Sequence, residues 1–266
     1  MTQMFDQQYL LSSQYNDSAR LNARIQLHEL YSTNPIAWQR WVFDQITIAA
    51  PYRVLELGCG PGQLWLKNLK RIPADWQITL SDFSAGMLAD TQRNLGTERF
   101  QYVEIDAQSI PFPDASFEVV IANHMLYHVP DRARAIAEMR RVLAPTGHFY
   151  AATNGVNHLA EIKQLCQRAG IALKGVLGAP ADVHFRVQNG AEQLAASFSH
   201  VELRMMENNQ LAVTEAGPLL AYVLSCFPPD SISEDQLNTL ATIIQQELDQ
   251  HGVIQISKET GLFIAS

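Results

Sequence analysis

The chain has 266 residues, 47% of them hydrophobic and 17% charged, enough for a packed core and against wholesale disorder. Its 27 acidic side chains outnumber 19 basic ones, and the formal charge of −8 gives an overall field that attracts neither DNA nor an anionic membrane. Cys59, Cys166 and Cys226 lie far apart, without metal-ligand spacing, and their odd number argues against a disulfide framework.

The first residues lack the basic-then-apolar pattern of a secretory leader. No apolar run approaches the ~20 residues that span a bilayer, so a cytoplasmic protein is expected. Leu21, Ile25, Leu27, His28 and Leu30 give a weak amphipathic pattern over 18–31. A second helix is predicted from Asn34-Pro35, with proline in its first turn and Ile36, Trp41, Val42, Ile46 and Ala49 in register. At Tyr52 the period changes. Residues 53–57 read as a buried strand ending in glycines, followed at once by a helical pattern from Gln63. Further strands are predicted at 78–81, 100–105 and 117–123, with a helix over 85–95 between the first two. The basic stretch 132–141 has apolar residues at helical spacing and reads as a helix whose arginines face solvent.

Pro145-Thr-Gly147 is expected to form a turn before a fifth strand over 148–153. A helix then runs to Gly170, and 171–189 is the least regular stretch. Helices over 191–198 and 216–227 flank a strand from Val201. Ser233-Glu-Asp-Gln236 has the form of a capping box opening a helix that Gly252 closes. Residues 253–265 read as a terminal hairpin or edge strand. Strands alternating with helices over short links mean right-handed crossovers and a doubly wound, mostly parallel sheet.

The chemistry concentrates in Val54-Leu-Glu-Leu-Gly-Cys-Gly-Pro-Gly62. Gly58, Gly60 and Gly62 sit where a strand meets a helix, which lets a ligand approach the backbone closely. A dinucleotide site wants its third glycine at the position Gln63 occupies, and Glu56 at the mouth of the turn would repel a pyrophosphate. A carboxylate there suits a cationic or zwitterionic ligand. Asp82 ends the second strand, where an acid can accept both hydroxyls of a ribose, or can serve the following helix N-terminus. Asp106 follows the third strand and Asn123 ends the fourth. In an open parallel sheet all four segments meet on one edge, beyond the carboxyl ends of the strands.

These residues resemble the motifs of class I, Rossmann-like S-adenosylmethionine-dependent methyltransferases, over about half of the chain. Within that class the chain looks most like bacterial small-molecule methyltransferases of the type 11 kind. The resemblance implies a seven-stranded, mostly parallel sheet with an antiparallel C-terminal edge strand and a helical N-terminal lid. One domain is expected, with the lid at 1–50, the cofactor core at 51–155, and the remaining sheet and substrate-side insertions at 156–266. The run from Glu56 through Gly58, Cys59 and Gly60 to Gln63 would meet the methionine part of S-adenosylmethionine. Asp82 would hold the ribose with Phe83 beside it in the cofactor site, Met87 would cover the adenine or pack in the core, and Asp106 with Ala107 would bind the adenine edge. Asn123 would join them on the same edge as a cofactor-binding residue. In the lid, Tyr15, Arg20 or Arg24 would reach the cofactor carboxylate, and residues 1–30 are expected to open and close.

Methyl transfer from a sulfonium needs alignment and exclusion of water, and an oxygen or nitrogen acceptor can also need a base. His128 is the first choice, with His124 and Tyr127 beside it and His184 a weaker candidate. The acceptor is expected to be a small, hydrophobic organic molecule rather than nucleic acid or membrane. Its pocket would be built from the N-terminal helices, 175–188 and 216–227, with Trp38, Trp41, Phe185, Tyr222 and Phe227. The product would be S-adenosylhomocysteine. Other sulfonium chemistry on the same fold, or a non-catalytic binding subunit, are the alternatives. The oligomeric state, the acceptor atom and any metal are not indicated by these residues.

Overall fold

The computed structural model describes residues 19–46, 52–173, 177, 184–228 and 231–266. Two helices, α1 (Ala19–Tyr31) and α2 (Trp38–Gln45), precede the first strand. The alternating part is β1 (Arg53–Leu57), α3 (Gln63–Leu66), β2 (Gln77–Asp82), α4 (Ala85–Leu95), β3 (Phe100–Glu104), β4 (Phe117–Asn123), α5 (Arg132–Val142) and β5 (Leu143–Asn154). Beyond it lie α6 (Ala160–Arg168), α7 (Gly190–Ala195), β6 (Val201–Met205), β7 (Gln210–Val213), α8 (Ala216–Ser225), α9 (Glu234–His251), β8 (Ile254–Ser257) and β9 (Thr260–Ala265).

The main sheet has seven strands in the order β3-β2-β1-β4-β5-β9-β6, a mixed α/β architecture of the Rossmann-like kind. β1 to β5 are parallel, and β9 runs antiparallel to both β5 and β6. The antiparallel strand thus lies one place in from the edge, which β6 occupies. The expected terminal hairpin does not form. β8 leaves the main sheet to pair with β7, a strand the sequence pattern did not reveal. The predicted turn at 145–147 is instead a bulge inside β5. The register with β4 jumps from Phe117 opposite Leu143 to Val119 opposite His148, so the extra residues loop out without breaking the strand.

Strand alternation sorts the core into two layers. Leu55, Leu57, Val120 and Ala122 face a cluster with Ile136 and Met139 of α5. Val54, Val119, Ile121 and Ile78 face one with Val42 and Phe43 of α2 and Trp65 of α3. A third cluster joins Leu27 of α1 to α6, α8, α9 and the β7–β8 ribbon. Within the expected lid, then, α1 and α2 are anchored in different clusters. The predicted start at Asn34-Pro35 shifts to Trp38 because Asn34 Oδ1 accepts the Ile36 N–H at 2.9 Å and Ala37 stays extended.

Local chemistry sets the ends of the helices that frame the site. Ser84 caps α4 by accepting the Met87 N–H at 3.2 Å, and Asp131 caps α5 from Arg134 at 3.0 Å. The Ser233–Gln236 capping box opens α9, and Gly252 closes it at φ +71°. Arg141 does not simply face water. It is paired with Glu138 and Asp114 and donates to the Ile110 and Phe112 carbonyls, pinning the stretch after β3 to α5.

Candidate active site

The chain runs outward from β1 through β2 to β3, then returns to β4 on the other side of β1. That reversal opens a crevice beyond the carboxyl ends of β1 and β4, where ligands bind in open sheets. A cavity of about 760 Å³ occupies it, within the range of small-molecule sites. The glycine turn forms its floor. Gly58 has φ +69°, and a side-chain carbon there would lie 2.8 Å from Met125 Cβ. Gly62 has φ +78° and would meet Leu95 and Thr91 as closely. Both positions therefore require glycine on two counts.

The acids at the strand ends are tied into this turn. Asp82 Oδ2 accepts the Gly60 N–H and Oδ1 accepts the Ser84 N–H, each at 2.9 Å. The cap of α4 belongs to Ser84, so Asp82 braces the glycine turn rather than capping the helix. Burial pushes its carboxyl up, against the pull of those backbone donors. Glu56 is buried, its Oε2 accepting the Trp65 Nε1–H at 2.6 Å and its Oε1 the Asn123 amide at 3.3 Å. Burial raises it to about 7, against the pull of the two donors. Asp106 turns on its own loop, accepting the Gln108 N–H at 2.9 Å and its side-chain amide.

Glu56, Gly58, Cys59, Gly60, Gln63, Asp82, Phe83, Met87, Asp106, Ala107 and Asn123 all line the cavity. Cys59 is a buried thiol held well above its usual value, mainly by burial, so it contributes backbone and packing. Arg24 also lines the cavity and donates to the Ser225 carbonyl at 3.3 Å. Arg20 does not line it. Its guanidinium donates to the Phe227 carbonyl at 2.7 Å. Tyr15 lies outside the described residues.

All three candidate bases line the same cavity. His124 takes φ +53°, its N–H reaches the Ala152 carbonyl at 3.0 Å, and its ring lies 5.5 Å from that of Trp38. Burial, helped by Lys258, lowers it to about 4, so it is neutral at neutral pH. The rings of Tyr127 and His128 meet edge-on at 4.6 Å. His184 is a correction. It is buried outside the cavity, with Nδ1 3.3 Å from the Tyr127 carbonyl. Of the expected pocket aromatics, Trp38 and Tyr222 line the cavity, while Phe185, Phe227 and Trp41 pack into the hydrophobic clusters. Most of 175–188 lies outside the described residues.

The lining residues not anticipated include Asn154, His158, Asn209 and Lys258. His158 and Asn154 follow or end β5, at the sheet edge already marked by Gly58 and Asn123, and that position was the available signal. Lys258 reaches the same edge because β9 runs antiparallel, so its start lies where the other strands end. Among the described residues no group of three or more His, Cys, Asp or Glu is arranged to hold a metal, and no helix is long and apolar enough to cross a membrane.

A glycine turn braced by an acid from β2, at the switch point of a seven-stranded sheet, is the ligand-site geometry of a Rossmann-like fold. Residues 55–151 match the family model described as a methyltransferase domain. The ubiquinone/menaquinone biosynthesis C-methyltransferase of Xanthomonas oryzae is 35% identical over 115 residues, 42% of this chain and 46% of that protein. A demethylmenaquinone methyltransferase of Thermus thermophilus is 33% identical over 116 residues, 43% of this chain and 52% of its own. The chain thus spans about half the length of the curated relatives it matches. A phosphoethanolamine N-methyltransferase of Haemonchus contortus, solved with S-adenosylmethionine, shares the fold at a TM-score of 0.59 and 18% identity, over all of this chain and 60% of that one.

Proposed function

We propose that the chain transfers a methyl group from S-adenosylmethionine to a small organic acceptor. The observation that carries this is the Asp82 carboxylate bonded to the Gly60 N–H, which joins the glycine turn and the end of β2 into one cradle. The cavity also fits a ligand rich in polar atoms. Gln63 Oε1 and Asn123 Oδ1 are buried there without a hydrogen-bond partner among the described residues. A buried acceptor left unsatisfied costs about 1–3 kcal/mol, so both favour a bound donor.

S-adenosylmethionine, when bound, supplies a methyl group already activated on a sulfonium. What remains for this chain is binding, orientation and exclusion of water. Asp82 would accept the ribose hydroxyls, Asp106 and Ala107 would meet the adenine edge, and Met87 with Phe83 would line its face. Glu56 would place negative charge near the cationic end of the cofactor, with Trp65 and Asn123 fixing its carboxylate. His124, held neutral, can accept a hydrogen bond from an acceptor hydroxyl or amine at neutral pH, and His128 is the candidate for taking the proton.

The names of the relatives support a small-molecule acceptor, and the acidic overall charge supports an acceptor that is not nucleic acid. Calorimetry with S-adenosylhomocysteine and with NAD tests the cofactor, and tighter binding of NAD would overturn the reading. Screening acceptors for production of S-adenosylhomocysteine then separates methyl transfer from other sulfonium chemistry.

A further inference from the structure

One wall of the cavity is polar in a way that cofactor binding does not use. His28 of α1 and His158, just before α6, stack with ring centroids 6.2 Å apart, and Tyr222 of α8 meets His28 edge-on at 6.0 Å. His158 Nδ1 accepts the Glu259 N–H at 3.2 Å, which leaves the hydrogen of the neutral ring on Nε2 as a donor. Lys258 donates to Ser32 Oγ at 3.1 Å. Among the described residues it has no carboxylate within ion-pair distance.

The acids nearby are engaged elsewhere. Glu259 accepts from the Asn157 N–H and the Gln188 amide, and Glu29 is paired with Lys67. Glu56, Asp82 and Asp106 are bonded as described above. His28 Nδ1 and Asn209 Oδ1 are buried with no hydrogen-bond partner among the described residues, and both residues line the cavity. A half-buried lysine with no carboxylate in ion-pair distance among the described residues, beside unsatisfied polar atoms, is half of an ion pair.

We propose that this wall is the acceptor subsite and that it takes a small molecule bearing an anionic oxygen, a carboxylate or a phenolate, paired with Lys258 and receiving the His158 Nε2–H. The proposal rests on the methyltransferase reading and narrows its substrate class. Lys258 is the cation that fits the role. Burial lowers it only to about 8, whereas it drives His28 to about 3 and His158 well down, so at neutral pH the histidines act as neutral donors and acceptors.

The test uses protein loaded with S-adenosylhomocysteine and two matched pairs of probes, benzoate with benzamide and 4-nitrophenolate with nitrobenzene. At least one anion should bind about tenfold or more tightly than its neutral partner, the size of one charge-assisted bond. The responding pair identifies carboxylate or phenolate. The preference should vanish in Lys258→Met and persist in Lys258→Arg, with affinity for S-adenosylhomocysteine unchanged in both. Equal or no binding within both pairs, or a preference that survives in Lys258→Met, would overturn the proposal.

A second measurement needs no variant. Near the titration of Lys258, binding of the anion should draw a proton onto its amine, read by calorimetry in two buffers of different ionisation heat. His28 of α1, His124 after β4 and His158 face the lysine but are lowered too far to supply that uptake, and Tyr222 is raised well above it. Absence of uptake would also overturn the proposal. Failure of the wild type to bind S-adenosylhomocysteine would instead remove the methyltransferase reading on which it stands.

Discussion

The indole of Trp65 and the carboxylate of Glu56 are bonded at 2.6 Å, joining α3 to the end of β1 across the glycines between them. Trp65 is fully buried, so its N–H has no water to fall back on, and Glu56 gains one of its two donors from it. Replacing Trp65 with Phe keeps most of the packing and removes the donor. The variant should lose about 1–3 kcal/mol of stability through the unsatisfied carboxylate. Urea unfolding of wild type and Trp65→Phe measures this, and equal midpoints would mean that the bond contributes nothing net.

Glu56 lies near 7 in the free protein, so near neutral pH a substantial fraction of it carries a proton. The arrival of a cationic group favours the ionised form. Binding of S-adenosylmethionine near neutral pH should therefore release a proton, and Glu56→Gln should abolish the release. Calorimetry in two buffers of different ionisation heat reads the number directly. A buffer-independent heat would place the cationic end of the cofactor away from Glu56.

Asp82→Ala removes the brace of the glycine turn and the expected acceptor of the ribose hydroxyls together. Charge-assisted bonds of this kind contribute about 1.5–3 kcal/mol each, so affinity for S-adenosylhomocysteine should fall by at least about tenfold in a folded variant. Fluorescence titration with circular dichroism as the folding control measures both. Unchanged affinity would leave Asp82 with the bracing role alone.

His28 is lowered to about 3, chiefly by burial, whereas an unfolded histidine titrates near 6.5. Below that value the unfolded chain takes a proton that the folded site refuses. Its contribution is thus present above pH 6.5 and lost as pH falls towards 3, at about 1.4 kcal/mol per pH unit for one proton. Glu56 acts in the opposite sense, its contribution being present below 4.5 and lost as pH rises towards 7. Urea melts between pH 6.5 and 4.5 should show a steeper loss for wild type than for His28→Asn, by about one proton. Parallel curves would mean that His28 is protonated in the folded state.

The glycine turn, Asp82, Asp106 and Asn123 were legible in the sequence because the information is local. A buried strand, a Gly-rich turn and an acid two strands on are each read from a few adjacent residues. The subsite around His28 and Lys258 was not legible, because its members come from α1, the stretch before α6, the β6–β7 turn and the β8–β9 turn, and only the tertiary fold brings them together. Residues 253–265 show the difficulty in miniature. Their alternation suits a hairpin, but Thr260 and Gly261 pair with Asn154 and Thr153 of β5, so the second half joins the main sheet and the first half does not. Arg20 was misplaced for a related reason. Helical spacing puts it on the side of Arg24, yet the Phe227 carbonyl, far along the chain, draws its guanidinium away from the cavity.

The insertion of β9 between β5 and β6 carries a consequence for how the molecule assembles. β6 is synthesised long before β9, but without β9 it has no neighbour in the sheet, and β5 presents a bare edge. Both must wait as open strands until residues 260–265 are delivered between them. Pairings so distant along the chain close slowly, and an open apolar edge can recruit another molecule's strand in the meantime. Refolding yield should accordingly depend on protein concentration, with β5 as the site where misassembly begins.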